Sequence, residues 1–403
     1  MAWSPDQEEA LKRITEWLRS GEPRFSLGGY AGTGKTTLAR YIAEEHGGRV
    51  KFAAFTGKAA SVLRRKGCPG ATTIHRLIYQ PKGNSGESEM QELRECLEQE
   101  LRREEPDQRL LASWRKDLAD KEADSSSMFS LREEAEITEA SLVIVDESSM
   151  VDRRIGSDLE SFGIPILYLG DPGQLPPVRG KAHLGPNDYD FVLEHIHRQA
   201  ADSPIIQLAQ KVRSGEACSY GKMGGAVEIL RKKDWDRDLV TQADQVITGS
   251  NLSRFKITRQ MRSHLDRDVL YPVEGDKLIC RLNDHDRQLL NGVTATALTE
   301  MKLLQGHKLG RMGIEYDGHN LTDCLVDPGY FQENYGERSV WPRGSGIMHF
   351  DYGYVVTAHK SQGSEWPHVV VADDQMRVND REQRRRWLYT AITRASERLT
   401  IYV

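Results

Sequence analysis

The sequence predicts a parallel α/β protein built as two blocks, each carrying an insertion. Three observations predict it. Runs such as "SLVIVDE" (141–147) and "IPILYLGD" (164–171) are apolar throughout rather than alternating, as in strands buried on both faces. Segments of helical spacing separate these runs, which parallel neighbours require. At 403 residues the chain is long enough for two ordinary domains.

The first segment is a helix. Ser4 caps it, Pro5 takes its first turn, Leu11, Ile14, Trp17 and Leu18 form its apolar stripe, and Gly21 ends it. "RFSLGG" is a short strand entering a glycine loop, and "KTTLARYIAEEHGG" is a helix that stops on glycine. "VKFAAF" and "GKAASVLRRKG" repeat the strand–helix pair. Residues 81–137 break the pattern. Met90, Leu93, Leu97 and Leu101 lie at helical spacing, Pro106 interrupts, and Leu110, Leu111, Trp114 and Leu118 continue, so a charged helical hairpin is expected there. Residues 293–348 contain short strands punctuated by glycine and read as a small β-rich insertion. Helix and strand then alternate again to the end, through "YGYVVTAHKSQG", "HVVVAD" and "RRRWLYTAIT". The expected domains are 1–80 with 138–184, and 185–292 with 349–403, around the two insertions.

Bulk properties narrow the class. Hydrophobic residues make up 38% and charged residues 29%, a soluble globular composition. No apolar run is long enough to span a bilayer. "MAWSPDQEEALKRI" has no apolar leader, so a cytoplasmic location is expected. The five cysteines (Cys68, Cys96, Cys218, Cys280, Cys324) are scattered and lack a C-x-x-C pair, which argues for reduced thiols and against zinc or iron–sulfur. His75, His195, His197 and His359 share no metal spacing either. A formal charge of −5 does not point to a polyanionic partner, but a basic groove needs only a local excess.

The chemistry starts at "GYAGTGKT", which fits G-x-x-x-x-G-K-[ST] between a strand and a helix. Its glycines let backbone N–H groups turn toward a phosphate, and the helix start adds its positive dipole end. Lys35 reaches the β- and γ-phosphates, and the Thr36 hydroxyl ligates Mg²⁺. Gly29, Gly32, Thr33, Gly34, Lys35, Thr36 and Thr37 form the ATP-binding set. In "VIVDES", Asp146 holds the magnesium shell, and Glu147 positions and deprotonates the attacking water. An acidic pair there indicates hydrolysis rather than transfer to a small molecule. Gln174 in "GDPGQLPPV" can bond a γ-phosphate or its water. Gln7 is open between two readings: it completes a capping box with Ser4, or its amide reads the adenine edge.

In order, Gln7, "GYAGTGKT", "AFTGKAA", "TTIHRLI", "VIVDES", "GDPGQLPPV", "HIHRQA", "YVVTAHKSQGSEW" and "LYTAITRA" resemble the superfamily 1 helicases, within them the RecD and Dda branch. The resemblance covers nearly the whole chain apart from the insertions. It implies two RecA-like domains facing each other over ATP. Arg394, and Arg198 in "HRQ", then act as arginine fingers that neutralise γ-phosphate charge when the cleft closes. Gly363 and Glu365 border the nucleotide, with Glu365 on the ribose, and Gln362 links the DNA and ATP sites. Tyr389 either lines the cleft or, the favoured reading, packs as a core tyrosine.

The resemblance also implies a track for single-stranded DNA. Thr56, Gly57 and Lys58 offer a hydroxyl, a backbone N–H and a cation before a helix, a set suited to phosphate. Thr73 and His75 follow, with Thr357, His359 and Lys360 as the matching set in the second block. Taken singly, Thr73 reads as an N-cap and His75 as a half-buried helix residue. Backbone contacts make such binding salt-dependent and indifferent to base sequence. The implied function is an ATP- and Mg²⁺-dependent DNA helicase, 5′-to-3′, acting as a monomer on single strands and duplex junctions. The alternatives are an RNA helicase of the same superfamily or a non-translocating P-loop switch. Where Dda-like relatives carry a short β-hairpin that splits the duplex, residues 81–137 are longer and charged. They supply a wedge near Met128 and Phe129, a docking arm for a protein partner, or a solvated helical arm.

Overall fold

A computed structural model describes residues 3–81, 129–132, 136–177, 180–196, 202–216, 218–267, 269–282, 284, 287, 289–304, 309–332, 346–374 and 380–403. The helical hairpin expected within 81–137 lies almost entirely outside these residues, as does Arg198.

Helix α1 (Pro5–Ser20) has the capping box between Ser4 and Gln7 and ends at Gly21 in the left-handed region. The first block then runs β1 (Arg24–Gly29), α2 (Lys35–His46), β2 (Val50–Ala54), α3 (Gly57–Arg65), β3 (Thr72–Thr73) and α4 (Ile74–Ile78). A short antiparallel ladder, β4 (Tyr79–Pro81) with β5 (Phe129–Leu131), forms the neck of the first insertion. After it come β6 (Leu142–Asp146), helix Arg153–Glu160, β7 (Ile166–Gly170) and β8 (Phe191–Leu193). Six strands form one parallel sheet in the order β3-β2-β6-β7-β1-β8. Its central strands are buried along their length, as continuous apolar runs should be.

The boundary at 184 is corrected by β8, which pairs in parallel with β1 and keeps the first block going through residue 193. "FVL" is too short to carry a period of its own, so only the pairing reveals it. Beyond β8 the chain is moored to α1, because the Asp6 carboxylate accepts the Glu194 and His195 N–H groups at 2.9 and 2.8 Å.

The second block holds helix Pro204–Ser214, β9 (Gly221–Met223), β10 (Val227–Leu230), helix Arg237–Gln242, β11 (Gln245–Thr248) and helix Asn251–His264. Strands β12 (Lys277–Cys280), β13 (Thr294–Ala297), β14 (Lys302–Leu303), β15 (Gly310–Tyr316), β16 (His319–Val326) and β17 (Phe350–Tyr352) follow. The chain closes with β18 (Val355–Thr357), helix Ala358–Ser361, β19 (Trp366–Ala372), helix Arg381–Ile392 and β20 (Ala395–Tyr402). The order of this sheet is β18-β11-β19-β20-β10-β9, parallel except at β9.

Strands β12 to β17 make a separate antiparallel sheet, wider than the expected 293–348, because β12 and β17 belong to it. "KLIC" is as apolar as any parallel strand, and its true partners are remote in sequence. Two nearly buried ion pairs, Arg262–Asp276 and Arg254–Asp351, both at 3.0 Å, fasten helix Asn251–His264 to this sheet.

Candidate nucleotide cleft and nucleic-acid interface

The carboxyl edge of the first sheet gathers the chemistry, where ligands of open parallel sheets bind. Gly28 pairs with Gly170, and Ala54 pairs with Asp146, so four loops open side by side. In the glycine loop, Gly32 and Gly34 adopt φ near +80°, where a side chain is strained. Gly34 precedes α2 without a side-chain cap, leaving the helix start to an anion. Lys35 folds back over the loop, its Nζ donating to the carbonyls of Gly29 and Tyr30. Gln7 is 1% exposed; its Oε1 accepts the Ser4 N–H and its Nε2 donates to the Thr33 carbonyl. The capping reading is thus the arrangement observed, and it also braces the glycine loop. A cavity of about 210 Å³ lies on the outer side of α2, lined by Trp3, Thr37, Arg40, Tyr41 and Glu44. The Trp3 and Tyr41 rings in it are 5.1 Å apart.

Asp146 ends β6, and its Oδ1 accepts the Glu147 N–H at 2.9 Å. Glu147 has φ +54°, an unusual left-handed conformation for a glutamate at a strand end. Burial pushes both carboxyl groups up; the Glu147 N–H opposes this at Asp146, and the Arg394 guanidinium opposes it at Glu147. Arg394 comes from the other block, is 6% exposed, and its Nη1 stands 3.9 Å from Glu147 Oε1. The Thr390 and Ser364 carbonyls hold it by Nε and Nη1. Thr36 at the start of α2 and the Asp146 carboxylate supply hard oxygen donors of the kind Mg²⁺ takes.

Next to this pair, the turn after β7 crosses into the second block. Asp171 Oδ1 accepts the Gly173 N–H, while Oδ2 accepts the Tyr389 hydroxyl at 2.9 Å. That hydroxyl accepts in turn from the Ala31 N–H of the glycine loop at 3.0 Å. Gln174 Nε2 lies 3.4 Å from Asp171 Oδ2, and its buried Oε1 has no hydrogen-bond partner among the described residues. Leu175 is buried in the second block's core, its N–H bonded to Thr390 Oγ1 and its carbonyl to Gln362 Nε2. Arg213 stacks 3.5 Å from the centre of the Tyr30 ring.

Of the residues expected on the track, Thr56, Gly57 and Lys58 meet the second block. Thr56 and Thr73 cap α3 and α4, accepting the Ala59 and Arg76 N–H groups. His75 is packed between Phe55 and Tyr79, and burial lowers its pKa, as it does at His359. Lys58 Nζ lies 4.2 Å over the Trp366 ring. Burial, helped by Arg65 and opposed by Asp317, brings its ammonium down to about 8. Gly363, φ +69°, is packed so closely on Ala59 that a Cβ there would lie 2.6 Å from the Ala59 Cβ. Leu290, in the connection between β12 and β13, covers Gly57 in the same way. Thr357 is buried at the start of helix Ala358–Ser361, which carries His359 and exposed Lys360. Glu365 faces Lys66 at 3.7 Å, both about half exposed, on the rim.

Both readings of Tyr389 apply: its ring is buried in the second block's core, and its hydroxyl bonds the first block. Sequence reasoning missed Asp171, Tyr30, Arg213, Trp3 and Tyr41. An aspartate in a Pro/Gly turn was the one available signal; a tyrosine inside a glycine loop was a weaker one.

A family model for the AAA domain matches residues 2–235, more than half of the chain. The chain belongs to the AAA domain family. A model for the UvrD-like helicase C-terminal domain matches residues 352–402, the segment of this AAA domain protein that carries Gly363 and Arg394. The ATP-dependent RecD2 DNA helicase of Deinococcus radiodurans is 26% identical over 433 residues, covering 98% of this chain and 48% of that protein. The ATP-dependent DNA helicase dda of Enterobacteria phage T4 is 25% identical over 225 residues, covering 52% and 42%. The chain therefore spans about half the length of the relatives it matches. Two solved structures share the fold of this AAA domain protein along its whole length. Pif1 helicases at forked double-stranded DNA match with TM-score 0.55, 16% identity and 92% of that chain covered. Pif1 helicase from Bacteroides with ADP-AlF3 and single-stranded DNA matches with TM-score 0.54, 16% identity and 93% covered. In sequence and fold, this AAA domain protein resembles the superfamily 1 helicases of the RecD and Dda kind.

Proposed function

We propose that this AAA domain protein is an ATP-dependent single-stranded DNA translocase and helicase, travelling 5′ to 3′ as its resemblance to RecD and Dda implies. The observation that carries the reading is Arg394 of the second block standing 3.9 Å from Glu147 of the first. A cation delivered across a cleft couples hydrolysis to closure, which is what a motor needs. The glycine loop and Lys35 take the phosphates, and the Trp3–Tyr41 cavity beside Thr37 takes the base. Thr36 and Asp146 would hold Mg²⁺, which would supply Lewis-acid stabilisation of phosphate charge. Glu147 accepts the proton of the attacking water, and Arg394 balances charge on the γ-phosphate. Arg198 serves as a second finger from the chain between the blocks. Gln174 reads the γ-phosphate, and Leu175 and Gln362 carry its shift to the strand. Thr56, Gly57, Lys58, Thr73 and His75 grip the strand from one side, Thr357, His359 and Lys360 from the other. Residues 81–137 meet the duplex junction or a protein partner.

The test is ATP turnover without polymer, with single-stranded DNA and with RNA, followed by strand displacement on 5′- and 3′-tailed duplexes. Turnover rises with DNA, and 5′-tailed duplexes are opened. Lys35→Ala abolishes both activities, and Arg394→Ala slows turnover by about 10³-fold or more. Turnover that is indifferent to polymer would leave a P-loop switch in place of a motor.

A further inference from the structure

We propose that Tyr389 is a positioning residue that makes the glycine loop, the Asp171–Gln174 turn and the arginine finger move as one unit. The inference rests on the ATPase reading above and adds to it the group that locks the cleft. A tyrosine that merely fills a core needs one acceptor, usually close by. Tyr389 has two partners, both in the opposite block and on different segments: the Ala31 N–H at 3.0 Å and Asp171 Oδ2 at 2.9 Å. Its ring is 2% exposed and lies flush on Gly173, where a Cβ would come within 3.0 Å of the ring. Glycine at 173 is what admits the phenol so deeply.

The same helix sets the finger. Thr390, the next residue, accepts from Arg394 Nε at 3.1 Å and bonds the Leu175 N–H at 3.0 Å. Residues 389 and 390 together therefore join the glycine loop and Asp171, through Tyr389, to Leu175 and Arg394, through Thr390. Gln174 Oε1, buried one turn away without a partner among the described residues, is the acceptor still waiting for a donor at this junction. ATP itself is gripped by Lys35 and the Gly32–Thr36 end of the loop, which the phenol does not bond; its one contact there is the Ala31 N–H. Removing the hydroxyl leaves the part-buried Ala31 N–H without its acceptor and Asp171 Oδ2 with only Gln174 Nε2 at 3.4 Å, at the seam between the blocks. It disturbs the closed cleft in which the reaction occurs more than the open one that admits ATP.

Tyr389→Phe in the full chain keeps the ring and deletes the link. With saturating single-stranded DNA, kcat falls about tenfold or more while KM for ATP stays within about twofold, the split expected of an interaction made in the transition state. Asp171→Asn lowers kcat in the same way, and the double variant is no slower than the slower single, because the groups act together. Melting curves of the two variants retain the wild-type cooperativity. A wild-type kcat in Tyr389→Phe, or additive losses in the double variant, overturns the proposal. If wild type itself lacks DNA-stimulated turnover, it is the ATPase reading that has failed.

Discussion

Lys58 carries its charge under strain. The ammonium is half-buried over Trp366, and burial lowers its pKa to about 8. An unfolded lysine keeps its proton to about 10.4, so between these values the unfolded chain binds more protons. Lys58 therefore lowers stability below pH 8, and that penalty fades as pH rises through the window. For a strand phosphate the sign is opposite. Above pH 8 binding must first recruit a proton, so affinity for single-stranded DNA falls by up to about tenfold per pH unit. Lys58→Arg, charged throughout, flattens that dependence in anisotropy titrations. Burial also holds His75 and His359 toward the neutral form.

At the scale of elements, the seam between α3 and the turn at Gly363 is a close contact between the blocks. Gly363→Ala brings two faults, a left-handed alanine and a Cβ on top of Ala59. Gly47 separates them, since it has the same φ of +69° with nothing within 4 Å. Both alanines cost about 1 kcal/mol from strain, read by denaturant melts, and Gly363→Ala alone also lowers DNA-stimulated turnover. Much of this architecture was legible. The glycine loop, Asp146 and Glu147 are residue types that phosphate chemistry uses, and Arg394 was legible through the resemblance to the superfamily 1 helicases. Strands buried on both faces announce themselves as apolar runs. What sequence could not yield was partnership. "FVL" at β8 and "KLIC" at β12 declare a strand but not which sheet, because pairing is decided by remote neighbours. Tyr389 hides inside "WLYTAI", where an apolar context argues for core. Only the approach of the other block shows its hydroxyl in use.

Over the whole molecule, the two blocks keep separate cores, and Leu175 and Tyr30 are first-block side chains packed against the second. Leu175 is 1% exposed there, so it acts as a plug. Leu175→Ala removes about 2–4 kcal/mol from docking rather than from either core. Calorimetry shows the single melt of the protein dividing into two, and an ATP analogue with Mg²⁺ draws them together again. Asp6 gives this plan a further consequence. Its carboxylate grips the backbone at Glu194 and His195, where the chain departs for the second block. Its neighbour Gln7 bonds the Thr33 carbonyl of the glycine loop. In the proposed motor, a pull on the far half reaches the glycine loop through this leash as well as through Tyr389 and Arg394, so opposing load is expected to slow ATP turnover as well as stepping.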